Sequence, residues 1–325
     1  EGLDLSSLLT SAPSPTSSRG RLVEASPRLL VKNSFAGVNF HDTYTRSGLY
    51  RKPLPFIAGC EGAGTVLAAE PGAEEWVGQR VVYFDHSGSY SDYSIVQENR
   101  SALVPEGLGL KEALGGFVQG LTAHYLTQST FPLKNEHTCL VLAAAGGTGQ
   151  LVCQMARLAN ARVIGVVGSR GKLPLLEGQV DDAVVLEPGE DTRHVVQQVR
   201  EMTSGQGVDV VYDSVGKDTA DMSLQCLKLR GMLVLFGNAS GPPPDVSALR
   251  LAEAGSVFVT RPILDHYMNT REELDWRAGE VFRWLLENKL HVNVRSFPSL
   301  ESAPVAHKEI EARMTRGKIV LELEL

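Results

Sequence analysis

From about residue 118 onward, short runs of apolar residues alternate with stretches of helical periodicity. The runs are strand candidates, and they cover residues 138–142, 163–167, 208–212, 232–236 and 256–260. Strands that are apolar along their whole length are typical of a parallel sheet covered by helices on both faces. Because crossovers between parallel strands are right-handed, the pattern predicts a doubly wound, Rossmann-type α/β domain.

The stretches between these runs have the spacing of amphipathic helices that lie on a sheet. After the first run, the apolar stripe consists of Leu151, Val152, Met155, Ala156 and Ala159. Between the third and fourth runs, Leu224, Leu227 and Lys228 are predicted to belong to a further helix.

Residues 20–110 have a different character, because they are rich in Gly, Pro, Val and Tyr. The strand candidates here are residues 29–33, 64–68, 80–84 and 93–97. The alternating tail at residues 318–323 is predicted to be a strand that returns to this module. The sequence therefore predicts a β-rich domain built from residues 1–117 and 262–325, interrupted by the α/β domain over residues 118–261.

The composition is that of an ordinary globular protein, with 43% hydrophobic and 21% charged residues in a chain of 325. A formal net charge of −7 gives no reason to expect non-specific attraction to nucleic acid. The longest apolar runs are far too short to span a bilayer. We therefore expect a small-molecule partner, and neither a nucleic acid nor a membrane.

The four cysteines, Cys60, Cys139, Cys153 and Cys226, are widely spaced and include no CxxC pair. Their spacing suits neither a disulfide scaffold nor a structural zinc site, and it favours a reducing, cytoplasmic location.

The first twenty residues are rich in Ser, Thr and Pro and lack the features of a signal peptide, so we expect a loose arm. The chain does not begin with Met, and we leave open that its true start lies upstream.

A glycine-rich segment, residues 143–149 (AAAGGTG), joins the first apolar run to the first helix. A dinucleotide pyrophosphate needs backbone N–H groups at a helix N-terminus and no side chains in the way. Gly146 and Gly147 permit the tight turn and the close approach of phosphates, and Gly149 lets the helix pack against the strand. The alternative is an ordinary glycine-rich turn, but the strand before it and the helix after it favour a dinucleotide site.

The end of the second apolar run favours NADP(H) over NAD(H). A carboxylate there would bind the ribose 2′-hydroxyl and repel a 2′-phosphate. This chain instead has Ser169, Arg170 and Lys172, a hydroxyl and two cations, with no acid among them. A charge-assisted contact to a phosphate is worth about 1–3 kcal/mol. The alternative is that both cations are solvated surface charges.

Further motifs extend over nearly the whole chain from about Leu29. They lie at residues 37–44 (GVNFHDTY), 47–50 (SGLY), 59–64 (GCEGAG), 144–150 (AAGGTGQ), 211–216 (VYDSVG), 236–241 (FGNASG) and 260–262 (TRP). With these motifs the chain resembles the quinone oxidoreductase (zeta-crystallin-like) family of the medium-chain dehydrogenase/reductase superfamily. The resemblance implies a Rossmann domain that interrupts a β-rich, GroES-like catalytic domain, with the active site in the cleft between them.

Zinc-dependent relatives have a Gly-His-Glu motif whose histidine binds a catalytic metal, and a lobe with four clustered cysteines. Here Gly59, Cys60 and Glu61 stand in place of that motif, and no cysteine cluster occurs. Cys60 with His41 and Glu61, the nearby candidates, does not make a convincing ligand set, so we predict a zinc-independent reaction and no metal. A zinc alcohol dehydrogenase is the alternative.

Without a metal, a hydride must pass from the nicotinamide to an acceptor that is already electrophilic, such as a quinone. The resemblance places Asn39 and Asp42 near the nicotinamide. It places Tyr44 and Tyr50 on the acceptor side, where their phenol groups would donate hydrogen bonds to a quinone oxygen. The alternative role of either tyrosine is packing in the β-rich module, so the two are predicted only as a pair.

The resemblance also implies cofactor contacts from a larger set of residues besides Asn39 and Asp42. They are Thr122, Gly146, Gly147, Thr148, Gly149, Ser169, Lys172, Ser214, Phe236, Gly237, Asn238, Thr260 and Arg261. One position departs from the family, whose members often carry a tyrosine beside the adenosine 2′-phosphate where this chain has Glu187. A carboxylate directed at that phosphate would weaken NADPH binding.

Two other functions are left open. One is an NADPH-dependent enone or alkenal reductase, and the other is a crystallin-like NADPH- or RNA-binding protein with little turnover. An acidic chain without basic or aromatic stripes argues against RNA as the main partner.

Residues 255–260 form a short, apolar and uncharged segment, so we predict an edge strand that pairs with a second copy in a homodimer. A plain internal strand is the alternative.

Overall fold

The structure, a computed structural model, describes residues 26–323 and divides into two compact units. The first unit comprises residues up to 118, 268–288 and those from 292 onward, and the second comprises residues 119–267 and 289–291. The expected N-terminal arm lies outside the described residues. In the part of the chain that is described, no helix is long and apolar enough to cross a membrane.

As far as the chain is described, the first unit is built on a seven-stranded sheet that joins the strand starting at Arg28 to the strand ending at Glu322. Its strands are β1 (Arg28–Val38), β2 (Glu61–Ala69), β3 (Arg80–Phe84), β4 (Tyr93–Gln97), β5 (Ser101–Leu103), β12 (Val294–Phe297) and β13 (Lys318–Glu322). The order is β12-β13-β1-β2-β3-β5, and β4 also pairs with β1. The returning tail is confirmed, because β13 pairs antiparallel with β1 in the register Val38 to Ile319.

Within residues 26–323, four helices belong to the first unit. They are α1 (Phe40–Arg46), α2 (Leu110–Gly116), α8 (Arg271–Leu286) and α9 (Ala303–Glu311). The helix α1 follows β1 almost directly, and this connection places the residues after Val38 beside the start of β2.

The second unit is a six-stranded parallel sheet with helices. Its strands are β6 (Thr138–Val141), β7 (Arg162–Val167), β8 (Asp182–Val185), β9 (Val208–Asp213), β10 (Leu227–Leu235) and β11 (Phe258–Thr260). Its helices are α3 (Val118–Tyr125), which starts at the unit boundary, α4 (Gly147–Leu158), α5 (Arg193–Met202), α6 (Ala220–Cys226) and α7 (Ala248–Glu253). The order β11-β10-β9-β6-β7-β8 reverses direction beside β6, as in a doubly wound Rossmann domain. The predicted fold class is confirmed.

The continuously apolar strands form the core of the second unit, as their composition predicts. All six residues of β9 are buried, and Leu140, Ile164 and Leu233 from neighbouring strands are fully buried in one cluster. Removing apolar surface of this kind from water stabilises a fold by about 25 cal/mol per Å².

One helix prediction is wrong at its end. Leu227 and Lys228 do not continue α6, which ends at Cys226, but begin β10. Leu227 has an extended backbone and pairs with Val208 of β9. A spacing of three residues between Leu224 and Leu227 fits a helix, but the sheet hydrogen bonds to β9 determine the conformation here.

Candidate functional site

The glycine-rich segment connects β6 to α4 at the carboxyl end of the parallel sheet. Gly146 is the N-cap of α4, and Gly147, Thr148 and Gly149 form its first turn. The first N–H groups of a helix have no carbonyl partner within the helix, and the helix dipole adds positive potential. The turn therefore has the donors that a pyrophosphate requires.

Gly149 must lack a side chain because of its contact with the strand end. A Cβ at this position would lie 2.3 Å from the carbonyl oxygen of Ala143 and 2.9 Å from Cα of Ala144. These atoms belong to the backbone and cannot rotate away. The prediction that Gly149 allows close packing of helix on strand is confirmed.

Ser169 and Lys172 lie after β7, the strand next to β6. Ser169 is the N-cap of a short 3₁₀ helix (Arg170–Leu176), and the Lys172 N–H donates to its carbonyl oxygen at 3.1 Å. Lys172 is half-buried and Arg170 is exposed. The turn thus presents a hydroxyl and cationic groups at the sheet edge that carries the glycine-rich segment.

Ser214 and Gly237 lie at the ends of adjacent strands, β9 and β10. A Cβ on Gly237 would lie 2.4 Å from the Ser214 carbonyl oxygen, and the Phe236 N–H donates to the Asp213 carbonyl oxygen at 2.8 Å. Asn238 follows and is buried. The structure therefore brings together the residues predicted from these two strands.

The other predicted cofactor residues of this unit are more dispersed. Thr260 ends β11, the outermost strand on one side, and Arg261 follows it as an exposed residue. Thr122 is half-buried within α3. Glu187, after β8, is exposed, and its N–H donates to the carboxylate of Glu190 at 2.9 Å.

Asp213 shapes this edge of the sheet, although the sequence assigned it no role. Its buried carboxylate accepts hydrogen bonds from the N–H groups of Val215 (2.8 Å) and Gly216 (3.0 Å) and from the hydroxyls of Thr219 and Ser223 (2.8 Å each). Burial raises the pKa of this carboxyl above its usual range. The sequence did contain a signal for Asp213, because this acidic residue ends an apolar strand and directly precedes Ser-Val-Gly.

In the first unit, Asn39 connects β1 to α1 and its side chain points into a buried ion pair. Its Oδ1 accepts from Lys318 Nζ at 2.8 Å, and its Nδ2 donates to Glu61 Oε2 at 2.8 Å. Lys318 also donates to Glu61, and the two side chains are 1% and 0% exposed. The second Glu61 oxygen accepts from the Val118 N–H at 3.0 Å. Asn39 is therefore held in one orientation by two charged partners.

Asp42 lies one turn into α1, with 4% of its surface exposed. Its Oδ2 accepts from the Asn39 N–H at 2.8 Å, which caps the helix, and from the Tyr90 hydroxyl at 3.3 Å. Its Oδ1 accepts from the Cys60 thiol at 3.4 Å. Burial raises the pKa of Asp42 from 3.8 to about 6, and the hydrogen bonds from Asn39 and Cys60 offset part of the effect.

Tyr44 and Tyr50 are brought together, as their prediction as a pair requires. Their rings contact edge to face with centroids 5.2 Å apart, and both side chains are half-buried. His41 contacts the Tyr50 ring at 5.3 Å, and Phe40 stacks on Tyr44 at 5.9 Å. The aromatic contacts support both phenols without burying them fully.

The candidate metal ligands have other partners. Glu61 is used by Lys318 and Asn39, and burial raises the pKa of the Cys60 thiol well above its usual range. Among residues 26–323, no group of three or more His, Cys, Asp or Glu side chains is arranged to hold a metal ion.

A cavity of about 30 Å³ lies beside Asp42 and Cys60 in the first unit. Lys52, His41 and His86 are among its lining residues. A volume of this size accommodates a water molecule.

Comparison with known proteins agrees with this arrangement. Residues 26–134 match the family model described as the alcohol dehydrogenase GroES-like domain, and residues 147–277 match the model described as zinc-binding dehydrogenase. A quinone oxidoreductase of Salmonella typhimurium is 40% identical over 302 residues, which cover 91% of each chain. A 2-haloacrylate reductase of Burkholderia is 37% identical, over 90% of this chain and 89% of its own.

A solved structure extends the comparison to three dimensions. The quinone oxidoreductase of Escherichia coli complexed with NADPH superposes with a TM-score of 0.86 at 38% identity, covering 93% of this chain and 94% of that one. These sequence identities, over nine-tenths or more of the chain and both of its units, show the family. The chain belongs to the quinone oxidoreductase family of the medium-chain dehydrogenases/reductases, a family of oxidoreductases.

Proposed function

We propose that this protein is a zinc-independent, NADPH-dependent quinone oxidoreductase. The observation that carries the proposal is the carboxyl edge of the parallel sheet. There the N-terminus of α4 and the Ser169–Lys172 turn present backbone donors, a hydroxyl and cations, with no acid on the turn. This combination matches a pyrophosphate and a 2′-phosphate.

Most predicted cofactor residues lie at this edge and would hold NADPH there. The first turn of α4 binds the pyrophosphate, while Ser169 and Lys172 bind the 2′-phosphate. Along the same edge Gly237, which has no side chain, lies directly against the backbone of Ser214. Glu187 is exposed, and its carboxylate repels the 2′-phosphate only when the side chain points toward that phosphate. We therefore propose a moderate preference for NADPH over NADH.

When bound, NADPH supplies the hydride, and the net reaction converts NADPH, a proton and a quinone to NADP⁺ and a hydroquinone. Asn39 and Asp42 are assigned to the nicotinamide side. The Tyr44 and Tyr50 hydroxyls are assigned to the acceptor, where they donate to the quinone oxygen that gains negative charge. Support comes from the paired, half-buried rings of these tyrosines.

Zinc independence is part of the proposal. Its support is that Glu61 is already used in an ion pair and that the Cys60 thiol donates to Asp42. A zinc site needs deprotonated thiolate and unoccupied lone pairs, which neither residue offers in this arrangement.

An activated-alkene reductase is the second candidate. It is favoured by the similarity to a 2-haloacrylate reductase, since a haloacrylate is a conjugated alkene. In this reaction the hydride would go to a carbon conjugated to a carbonyl group, and the same tyrosines would stabilise the enolate oxygen.

We also propose a cytoplasmic homodimer. All four cysteines are free and buried, which suits a reducing compartment. In the described sheet, β11 pairs only with β10, and Phe258 on this edge strand is 59% exposed. An apolar edge is stabilised when a second copy pairs with it.

The function is tested by steady-state kinetics on metal-analysed protein. NADPH oxidation is measured with an ortho-quinone and, in parallel, with 2-chloroacrylate as the activated alkene. We expect the larger kcat/KM for the quinone, no stoichiometric zinc, and no change of rate after treatment with a chelator. A larger kcat/KM for the alkene would establish the second candidate, and loss of activity on chelation with recovery on adding zinc would overturn zinc independence.

A further inference from the structure

A continuous chain of hydrogen bonds runs from the surface of the first unit to Asp42. Arg46 Nη1 contacts His307 Nδ1 at 2.9 Å, His307 Nε2 contacts the Tyr90 hydroxyl at 2.9 Å, and that hydroxyl contacts Asp42 Oδ2 at 3.3 Å. Arg46 is half-exposed and pairs with Glu311, whereas His307 is 4% exposed. Three segments far apart in sequence therefore meet in one line of polar contacts.

The chemistry of these groups determines the direction of each hydrogen bond. A guanidinium has only donors, so Nδ1 of His307 must accept from Arg46. Burial and the charge of Arg46 lower the pKa of His307, which keeps the ring neutral with its single proton on Nε2. His307 therefore donates to the Tyr90 oxygen, and the Tyr90 proton is directed to Asp42.

We propose that Tyr90 and His307 are positioning residues whose directed hydrogen bonds hold Asp42 as a carboxylate beside the nicotinamide site. This inference rests on the proposed function, which assigns Asp42 to the nicotinamide. A donor aimed at a carboxylate stabilises its charged form and opposes the effect of burial. A carboxylate beside a bound nicotinamide would stabilise the oxidised, positively charged form of that ring.

Other ionisable groups also face Asp42 and set the background. Lys318 from β13 favours the carboxylate, and Glu61 from β2 opposes it. The Cys60 thiol donates a hydrogen bond to Asp42, and Lys52 lines the same small cavity. At the far end of the chain, Glu311 balances Arg46. Tyr90→Phe leaves every one of these residues in place and removes only the Tyr90 hydroxyl, so the variant tests the effect of that donor.

The test is a carbon-13 NMR titration of the aspartate carboxyls in the full-length protein without cofactor. The Asp42 resonance is assigned by its absence from Asp42→Asn. We expect Tyr90→Phe to raise the pKa of Asp42 by roughly one unit, the size of a charge-assisted hydrogen bond. Tyr93→Phe, which removes the hydroxyl of an exposed tyrosine on β4, is the matched control and leaves the pKa unchanged.

Two variants at position 307 provide a second arm. His307→Gln keeps an N–H donor where Nε2 lies and is expected to retain the wild-type pKa of Asp42, whereas His307→Phe raises it. If neither Tyr90→Phe nor His307→Phe moves the pKa, while thermal stability falls, the two residues only pack and the proposal is wrong.

Kinetics then separate this inference from the proposed function. If the protein reduces quinones, the apparent pKa in the pH profile of kcat shifts upward in Tyr90→Phe, as in the NMR titration, while the KM for NADPH stays constant. A shift by NMR in a protein that oxidises no NADPH would retain the hydrogen-bond chain and reject the function. If the protein does turn over and Tyr90→Phe does not change the pH profile, the function is retained and the role of the hydrogen-bond chain is rejected.

Discussion

Lys172 is the single residue on which the choice between NADPH and NADH depends most. It is half-buried on the turn after β7, close to the Ser169 N-cap. A fixed cation next to a hydroxyl can bind a phosphate dianion, but it gains little from a ribose hydroxyl. The charge at this position should therefore affect the two cofactors unequally.

Reversing this charge should weaken NADPH binding selectively. For Lys172→Glu we expect the Kd of NADPH to rise about tenfold or more and that of NADH to change little, since a charge-assisted contact is worth about 1.5–3 kcal/mol. Fluorescence titration measures both constants. Lys134→Glu is the control, because Lys134 is exposed before β6, at the opposite edge of the sheet. Equal losses for both cofactors would contradict the assignment.

The raised pKa of Asp42 gives the stability a specific pH dependence. The native carboxyl holds a proton up to about pH 6, whereas the unfolded chain releases it near pH 4. Its contribution to the free energy of unfolding is thus fully present below about pH 4 and is lost as the pH rises through about 6.

Urea unfolding between pH 4 and 7 checks this. Relative to Asp42→Asn, which cannot titrate, wild-type protein should lose about 2–3 kcal/mol of unfolding free energy over that interval. Asp92→Asn, at an exposed position, should follow the wild-type curve. Parallel curves for wild type and Asp42→Asn would show that burial does not raise this pKa.

At this scale, the sequence indicated residue types but not their partners. Asn39 and Asp42 were named from a motif, but the buried partner of Glu61 is Lys318, 257 positions away. Lys318 lies in an alternating strand pattern, where a lysine is ordinarily expected to face solvent. Only the pairing of β13 with β1 brings it to the carboxylate, and no local pattern encodes that.

Among the elements, the turn between β6 and α4 was the most predictable, because glycine requirements are local. The apolar runs gave β6, β7, β9 and β10 to within a few residues at their ends, apart from the longer start of β10. Several elements were not predicted, including α2, α5 and α9 as well as α1, β5 and β12. The last three are short, and β12 is mostly half-exposed, so neither length nor periodicity distinguishes them.

The close packing at Gly149 predicts the effect of a single methyl group. Gly149→Ala places a Cβ 2.3 Å from the Ala143 carbonyl oxygen, and the forced shift should cost about 1–3 kcal/mol of unfolding free energy. Gly171→Ala is the control, because no atom lies within 4 Å of its Cβ. Denaturant unfolding compares the two, and equal stabilities would contradict the packing.

For the whole molecule, the sequence predicts that one domain interrupts the other. The predicted domain boundaries, at 117/118 and 261/262, lie near the boundaries of the two compact units, at 118/119 and 267/268. The sheet that joins both chain termini follows from the returning strand, whose alternating pattern was visible in the sequence. Residues 289–291, which return to the second unit, carry no such signal.

The exposed edge of the second sheet predicts the oligomeric state. We expect wild-type protein to be a dimer by size exclusion with light scattering, and Phe258→Glu to shift it toward monomer, since the new charge would be buried between copies. Leu54→Glu, which replaces another exposed apolar residue, should leave the dimer intact. A monomeric wild-type protein would contradict the proposal that two copies pair through β11.

The central claim, that this chain passes reducing equivalents from NADPH to a quinone, is tested most directly by a single turnover. Protein loaded with one equivalent of NADPH is mixed rapidly with an ortho-quinone, and the loss of NADPH absorbance is followed. We expect full oxidation in one phase, at least a hundredfold faster than in the same mixture without protein. We expect a slower phase when NADH replaces NADPH. Oxidation no faster than in the protein-free mixture would leave the fold in place and contradict the function.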